Sequence, residues 1–114
     1  MANLIYRGED MKRKNNLAYI CSPYRGKYKE RNIAYAKYLT LKALEMNYAP
    51  SAVHLYLTEF LDDNDPEQRQ IGLRAGREIL KACETIIIGI QYGISEGMRE
   101  EIEAAADKQV IMLK

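Results

Sequence analysis

Short apolar runs alternate along this chain with longer stretches of helical periodicity, and this alternation is the strongest constraint on its fold. Leu17–Cys21 is an apolar run that ends at Ser22, and Thr85–Ile90 is the most apolar stretch in the sequence. Runs of this length bounded by turn residues are typical of buried parallel strands. The same reasoning predicts two further strands over Tyr48–Val53 and Gln109–Leu113.

The segments between these strands carry start and stop signals of helices. Asn47 follows a stretch without Gly or Pro and suits the left-handed end of a helix. Asp65 followed by Pro66 is typical of an N-cap with proline at the first helical position, and Ser95 is a second plausible N-cap. His54–Leu61 is open between a helical turn and an extended loop. The predicted helices run over Glu30–Asn47, Pro66–Ala82 and Ser95–Asp107.

Strands that alternate with helices favour right-handed βαβ units, and therefore one parallel sheet with helices on both faces. The sequence predicts a single α/β domain over residues 17–114. Residues 1–16 are polar and charged apart from Leu4, Ile5 and Tyr6, and they are predicted to be a loosely held N-terminal extension.

Charge and cysteine content exclude several classes of protein. Seventeen Lys and Arg against sixteen Asp and Glu give a formal charge of +1, which offers no basic surface for long nucleic acid. Cys21 and Cys83 lack metal-site spacing and are too few for a disulfide framework, so we expect reduced core cysteines and no metal site. No apolar run is long enough for a secretory signal or a membrane span. We therefore expect a cytoplasmic protein without membrane contact.

Ligands of open parallel sheets bind beyond the carboxyl ends of the strands, which directs attention to three loops. The first loop, Ser22–Lys29, offers a hydroxyl, an aromatic ring, the Arg25 guanidinium and close backbone approach at Gly26. Arginine recognises phosphate or carboxylate through two parallel hydrogen bonds. The alternative is a plain turn with an exposed arginine.

The second loop, His54–Asp65, contains the single histidine and an acidic run. One histidine cannot build a metal site alone. Asp62 and Asp63 suit a sugar hydroxyl or a cation, or else they belong to a solvated turn.

The third loop, Gln91–Gly97, leads into the last helix. Gly97 would let an anionic group lie against the free N–H groups of the first helical turn, with Glu101 one turn further on. The alternative is that acidic residues stand here because the helix dipole favours them.

The order and spacing of several motifs between Ala18 and Leu113 resemble the nucleoside 2-deoxyribosyltransferase-like superfamily, and within it small phage-associated domains of unknown function. The motifs are Tyr19-Ile20-Cys21-Ser22-Pro23-Tyr24-Arg25-Gly26, Asn32, Ala36, His54-Leu55-Tyr56, Phe60-Leu61-Asp62-Asp63, Pro66-Glu67-x-Arg69, Ile94-Ser95-Glu96-Gly97-Met98-Arg99-x-Glu101-Ile102 and Ala105.

This resemblance implies a Rossmann-like, flavodoxin-type three-layer sandwich with a mainly parallel sheet of four to five strands, usually assembled as a homodimer or larger. It also implies that Glu101 attacks the anomeric carbon of a nucleoside or nucleotide, with Glu100 as the fallback, and that no cofactor takes part. Candidates for protonating the leaving base are Asp62, Asp63, Tyr24 and His54. The predicted binding residues are Ser22, Tyr24, Arg25, Gly26, His54, Asp62, Asp63, Ser95, Gly97 and Met98.

Three functions compete on this basis. The first is N-glycosidic bond cleavage or deoxyribosyl transfer by a glutamate nucleophile. The second is a module that senses or sequesters a nucleotide, because Gln91-Tyr92-Gly93 stands where active relatives carry an acidic residue. The third is a structural oligomer or protein-interaction domain, since nine tyrosines suit partly wet interfaces.

Overall fold

Five strands and four helices are formed by residues 3–6 and 15–114, the part of the chain that this computed structural model describes. The strands are β1 (Asn3–Tyr6), β2 (Leu17–Cys21), β3 (Ala49–Ser51), β4 (Thr85–Gly89) and β5 (Gln109–Leu113). The helices are α1 (Lys29–Glu45), α2 (Val53–Leu57), α3 (Pro66–Ala82) and α4 (Glu96–Ala104). All strands join one sheet in the order β1-β5-β4-β2-β3.

The sheet is parallel except at one edge. Strands β3, β2, β4 and β5 run parallel, whereas β1 pairs antiparallel with β5. Counted along the chain, the parallel strands stand in the order second, first, third, fourth, which is the flavodoxin-type order. Helix α1 packs on one face, and α2, α3 and α4 pack on the other. The predicted α/β three-layer sandwich is therefore confirmed.

Alternating side chains of β2 divide between the two faces, as successive residues of a strand must. Ala18 and Ile20 enter the core beneath α1, while Tyr19 and Cys21 enter the core beneath α3 and α4. All four side chains are buried, because β2 is a central strand covered by helices on both faces. This division decides which β2 residues face the cleft described below.

The structure departs from the sequence-based prediction at both edges of the sheet. Residues Asn3–Tyr6, within the predicted extension, form a strand whose backbone pairs with β5; the other residues of that extension before Asn15 lie outside the described part. The predicted strand over Tyr48–Val53 shortens to β3, where Pro50 is tolerated because β3 is an edge strand. Val53 instead begins α2, so the open choice at His54 is a helical turn.

The predicted helix boundaries hold where a cap was recognised. Asp65 Oδ1 accepts a hydrogen bond from the backbone N–H of Glu67 at 2.9 Å, and Ser95 Oγ accepts one from the N–H of Met98 at 3.3 Å. Asn47 adopts a left-handed conformation with φ of 69° just after α1. Helix α4 ends at Ala104, before the predicted Asp107. Within the described residues, no helix is both long and apolar enough to cross a bilayer.

Both cysteines are free and buried, as predicted. Burial raises the pKa of the Cys83 thiol, and burial together with the nearby Glu101 carboxylate raises that of Cys21. Since the thiolate is the reactive form, the folded protein should react with a dithiobisnitrobenzoate reagent at least about 100-fold more slowly than the unfolded protein. Labelling at pH 8 with and without guanidinium measures this, and rapid labelling of either thiol in the folded protein would contradict it.

Candidate functional site

A cleft of about 420 Å³ lies at the carboxyl end of β2, on the face of the sheet covered by α2, α3 and α4. Its volume falls within the range of small-molecule sites, roughly 300–1,000 Å³. It is lined by Tyr19 of β2, by Ser22 just after β2, and by residues of α4. The first and last predicted loops therefore meet here, as the switch point of a parallel sheet requires.

Most of the predicted site residues come together in this cleft. Those that line it are Ser22, Tyr24, Arg25, His54, Asp63, Ser95, Gly97, Met98 and Glu101, together with the fallback Glu100. Gly26 and Asp62 do not line it. Gly26 has a φ of +114° in open surroundings and serves the turn itself. Asp62 Oδ1 accepts from the N–H of Asn64 at 2.9 Å, so it belongs to the turn before α3.

Glu101 is held by a buried tyrosine. The Tyr19 hydroxyl donates a hydrogen bond to Glu101 Oε2 at 2.6 Å. Tyr19 is only 1% exposed, and its burial, followed by the adjacent carboxylate, raises the pKa of the phenol. The hydroxyl therefore keeps its proton and acts as a donor. Met98, Glu101 and Ala105 are spaced three and four apart, which places Glu101 on the inward face of α4.

His54 approaches the same carboxylate from α2. Its Nε2 lies 3.7 Å from Glu101 Oε2, and its ring stacks on Tyr24 with centroids 4.8 Å apart and an interplanar angle of 9°. Both rings line the cleft. Stacked aromatic rings beside a carboxylate provide a flat apolar surface and a negative charge, which suit a planar base attached to a sugar.

A cluster of three charged side chains also lines the cleft. Arg25 Nε lies 3.1 Å from Asp63 Oδ2, and Arg69 Nη1 lies 3.1 Å from Asp63 Oδ1. Asp63 thus bridges the β2–α1 loop and the first turn of α3. We call Arg25, Asp63 and Arg69 the charged cluster.

A family model described as "Domain of unknown function (DUF7768)" matches residues 16–113, almost the whole described domain. The chain belongs to this family. No curated protein and no solved structure matches it. The description of this family names no activity, so the resemblance to the nucleoside 2-deoxyribosyltransferase-like superfamily stays a prediction.

In the described part of the DUF7768 domain, no group of three or more His, Cys, Asp or Glu side chains is arranged to hold a metal ion.

Sequence reasoning missed Tyr19 and Arg69 as site residues. One feature of the sequence pointed to Tyr19: it is the residue of an apolar strand whose side chain ends in a hydroxyl, and it lies on the same face of the strand as Cys21. Arg69 stands four residues after the Asp65 cap, which puts it on α3, but no local pattern tells which way that side chain points. The partner of Tyr19, Glu101, is remote in sequence, and the partner of Arg69, Asp63, lies in a loop.

Proposed function

We propose that this domain cleaves the N-glycosidic bond of a nucleoside or nucleotide, or transfers its deoxyribosyl group, with Glu101 as the nucleophile. The observation that carries the proposal is the Glu101 carboxylate, which lines a small-molecule cleft and accepts a 2.6 Å hydrogen bond from a buried tyrosine. A carboxylate held in this way is oriented before the ligand arrives, which lowers the barrier to reaction.

The chemistry requires a carboxylate oxygen below the anomeric carbon. Oε2 of Glu101 accepts the hydrogen bond from Tyr19, so we assign attack on C1′ to the other oxygen, Oε1. Bond formation between Oε1 and C1′ accompanies rupture of the C1′–N bond through an oxocarbenium-like state. The base departs with a proton from an acid, and water or a second base then attacks C1′ to release Glu101.

The four candidates for the acid that protonates the leaving base differ in where they lie relative to the cleft. Asp62 lies outside the cleft, and both oxygens of Asp63 are already held in ion pairs with Arg25 and Arg69. Tyr24 and His54 line the cleft and carry protons that a leaving base can accept. We therefore assign protonation of the base to Tyr24 or His54.

A binding module without turnover is the second candidate, and the segment before α4 favours it. Tyr92 packs against Tyr35 with centroids 5.0 Å apart and lies under the Arg31 guanidinium at 3.9 Å. Gln91 and Tyr92 have no carboxylate, and neither of them lines the cleft, so these two residues supply no acidic group there. A ligand could then be held and released unchanged.

The proposal also includes a cytosolic location and assembly into a homodimer or larger. The two free thiols support the first part. The second part rests on the resemblance to the nucleoside 2-deoxyribosyltransferase-like superfamily, whose members usually assemble as homodimers or larger.

Incubation with a panel of ribonucleosides, 2′-deoxynucleosides and their 5′-monophosphates should release free base from at least one member. Chromatography of the reaction at micromolar enzyme measures the release, and thermal unfolding with each compound measures binding, since a ligand of the folded state raises its stability. A stabilising compound that is recovered intact would favour the binding module. A panel without either effect would refute both candidates.

A further inference from the structure

The charged cluster has more hydrogen-bond donors than its single carboxylate can use. A guanidinium carries five N–H donors in a planar fork. Arg25 approaches Asp63 through Nε, and Arg69 approaches it through Nη1. In the described part of the chain, no residue accepts a hydrogen bond from the Nη groups of Arg25 or from Nη2 of Arg69. Two positive charges against one negative charge also leave the cluster with a net charge of +1.

The cluster is accessible from solvent as well as from the cleft. The side chains of Arg25, Asp63 and Arg69 are 54%, 27% and 31% exposed. Ion pairs this exposed contribute little to stability because water solvates both partners. An anion that reaches the cluster from the cleft would therefore compete with the Asp63 carboxylate for the same donors.

We propose that Arg25 and Arg69 form a phosphate subsite of the cleft, and that Asp63 holds the two guanidinium groups until the phosphate of a nucleotide replaces its carboxylate. This rests on the proposed function, since it takes the ligand to be of nucleoside type and specifies that it is phosphorylated. A phosphate carries up to two charges and three strong acceptor oxygens, so it uses donors that one carboxylate leaves over.

The proposed phosphate subsite is built from other elements than the turn at the start of α4. Arg25 comes from the β2–α1 loop and Arg69 from α3, whereas Ser95 and Gly97 belong to the turn that the sequence predicts to hold a hydroxyl or phosphate. The two locations make different predictions about arginine variants, so an experiment can separate them.

Calorimetric titration with a 2′-deoxynucleoside and its 5′-monophosphate tests the subsite, in a Glu101→Gln background that leaves the ligand intact. We expect the monophosphate to bind at least about tenfold more tightly than the nucleoside, because hydrogen bonds to charged groups are the strong ones. Arg69→Gln should weaken monophosphate binding about tenfold and leave nucleoside binding within about twofold. Asp63→Asn should strengthen monophosphate binding several-fold, because it removes the resident competitor.

Two further variants keep the result interpretable. Arg74→Gln removes the same charge from the same helix, but Arg74 is exposed and does not line the cleft, so monophosphate affinity should be unchanged. Arg25→Gln alters an exposed loop side chain and should reproduce the Arg69→Gln effect even if that variant folds poorly. Equal losses in Arg69→Gln and Arg74→Gln would overturn the proposal, as would equal affinity for nucleoside and monophosphate.

Failure of the subsite and failure of the proposed function give different results. Base release from nucleosides and monophosphates at equal efficiency would refute the subsite and leave the glycosidase in place. Arg69-dependent binding of a monophosphate that is recovered intact from the unsubstituted protein would support the subsite and refute the glycosidase.

Discussion

Glu101→Gln should lower the rate of base release by at least about 10⁴-fold, the scale of loss when a covalent nucleophile is removed. An amide neither attacks C1′ nor stabilises its developing positive charge. Glutamine has nearly the same shape as glutamate, and its amide oxygen can still accept the Tyr19 hydroxyl, so the fold and the cleft should persist. The loss should fall on kcat rather than on KM, which steady-state kinetics on the best compound of the panel would measure.

Glu100→Gln is the matched control for this experiment. Glu100 is the adjacent residue of α4 and also lines the cleft, but its side chain is exposed, and no hydrogen bond fixes it to another residue in the described part of the chain. We expect it to change kcat by less than about threefold, because it alters only the surface potential near the cleft. A large loss in Glu100→Gln with little loss in Glu101→Gln would assign the nucleophile to Glu100.

Gly89→Ala should destabilise the domain by about 3 kcal/mol, the upper part of the range for overpacked cores. A Cβ at this last residue of β4 would lie 2.5 Å from Leu39 Cδ1 and 2.8 Å from the Tyr35 ring and hydroxyl. Both are side chains of α1 that are buried against the sheet, so they have little room to move. Displacement of Tyr35 would also weaken the 2.9 Å hydrogen bond that its hydroxyl accepts from the N–H of Gln91.

Gly97→Ala is the same substitution at a site with open space. Apart from its chain neighbours and the backbone of its own helix, no atom of the described residues lies within 4 Å of the position that its Cβ would take. Alanine in the first turn of α4 should be neutral or stabilise the fold by up to about 1 kcal/mol. Urea unfolding of both variants measures the two effects, with the Gly89→Ala midpoint lowered at an unchanged slope. Similar midpoints for the two variants would show that the contacts at Gly89 relax freely.

The fold was predictable because its signals are local. Apolar runs such as Thr85–Ile90 and caps such as Asp65 are read from a few neighbouring residues, and each of these two predictions was confirmed to within a residue. Strand β1 was not predicted, since it depends on the edge that β5 offers at the opposite end of the chain.

The candidate site was predictable as three loops but not as a set of contacts. Asp62 and Asp63 are neighbours of the same type, yet Asp62 serves a turn while Asp63 bridges two arginines. Which of them faces the cleft depends on the direction of the backbone between α2 and α3, and composition does not encode that direction. Tyr19 illustrates the same limit, because its hydroxyl matters only through a partner 82 residues away.

Strand β2 has hydrogen-bonded neighbours on both sides, and that position divides the cleft into a fixed part and an adjustable part. Tyr19 belongs to an interior strand that is paired on both sides, so the position of the hydroxyl that orients Glu101 is well fixed. Tyr24 and Arg25 stand in a loop, and His54 in a helix of five residues, where substitutions and small shifts are absorbed easily. Under the proposed function, substitutions at Tyr24, Arg25 and His54 would change which ligand is recognised, whereas Glu101 would keep the geometry that Tyr19 gives it.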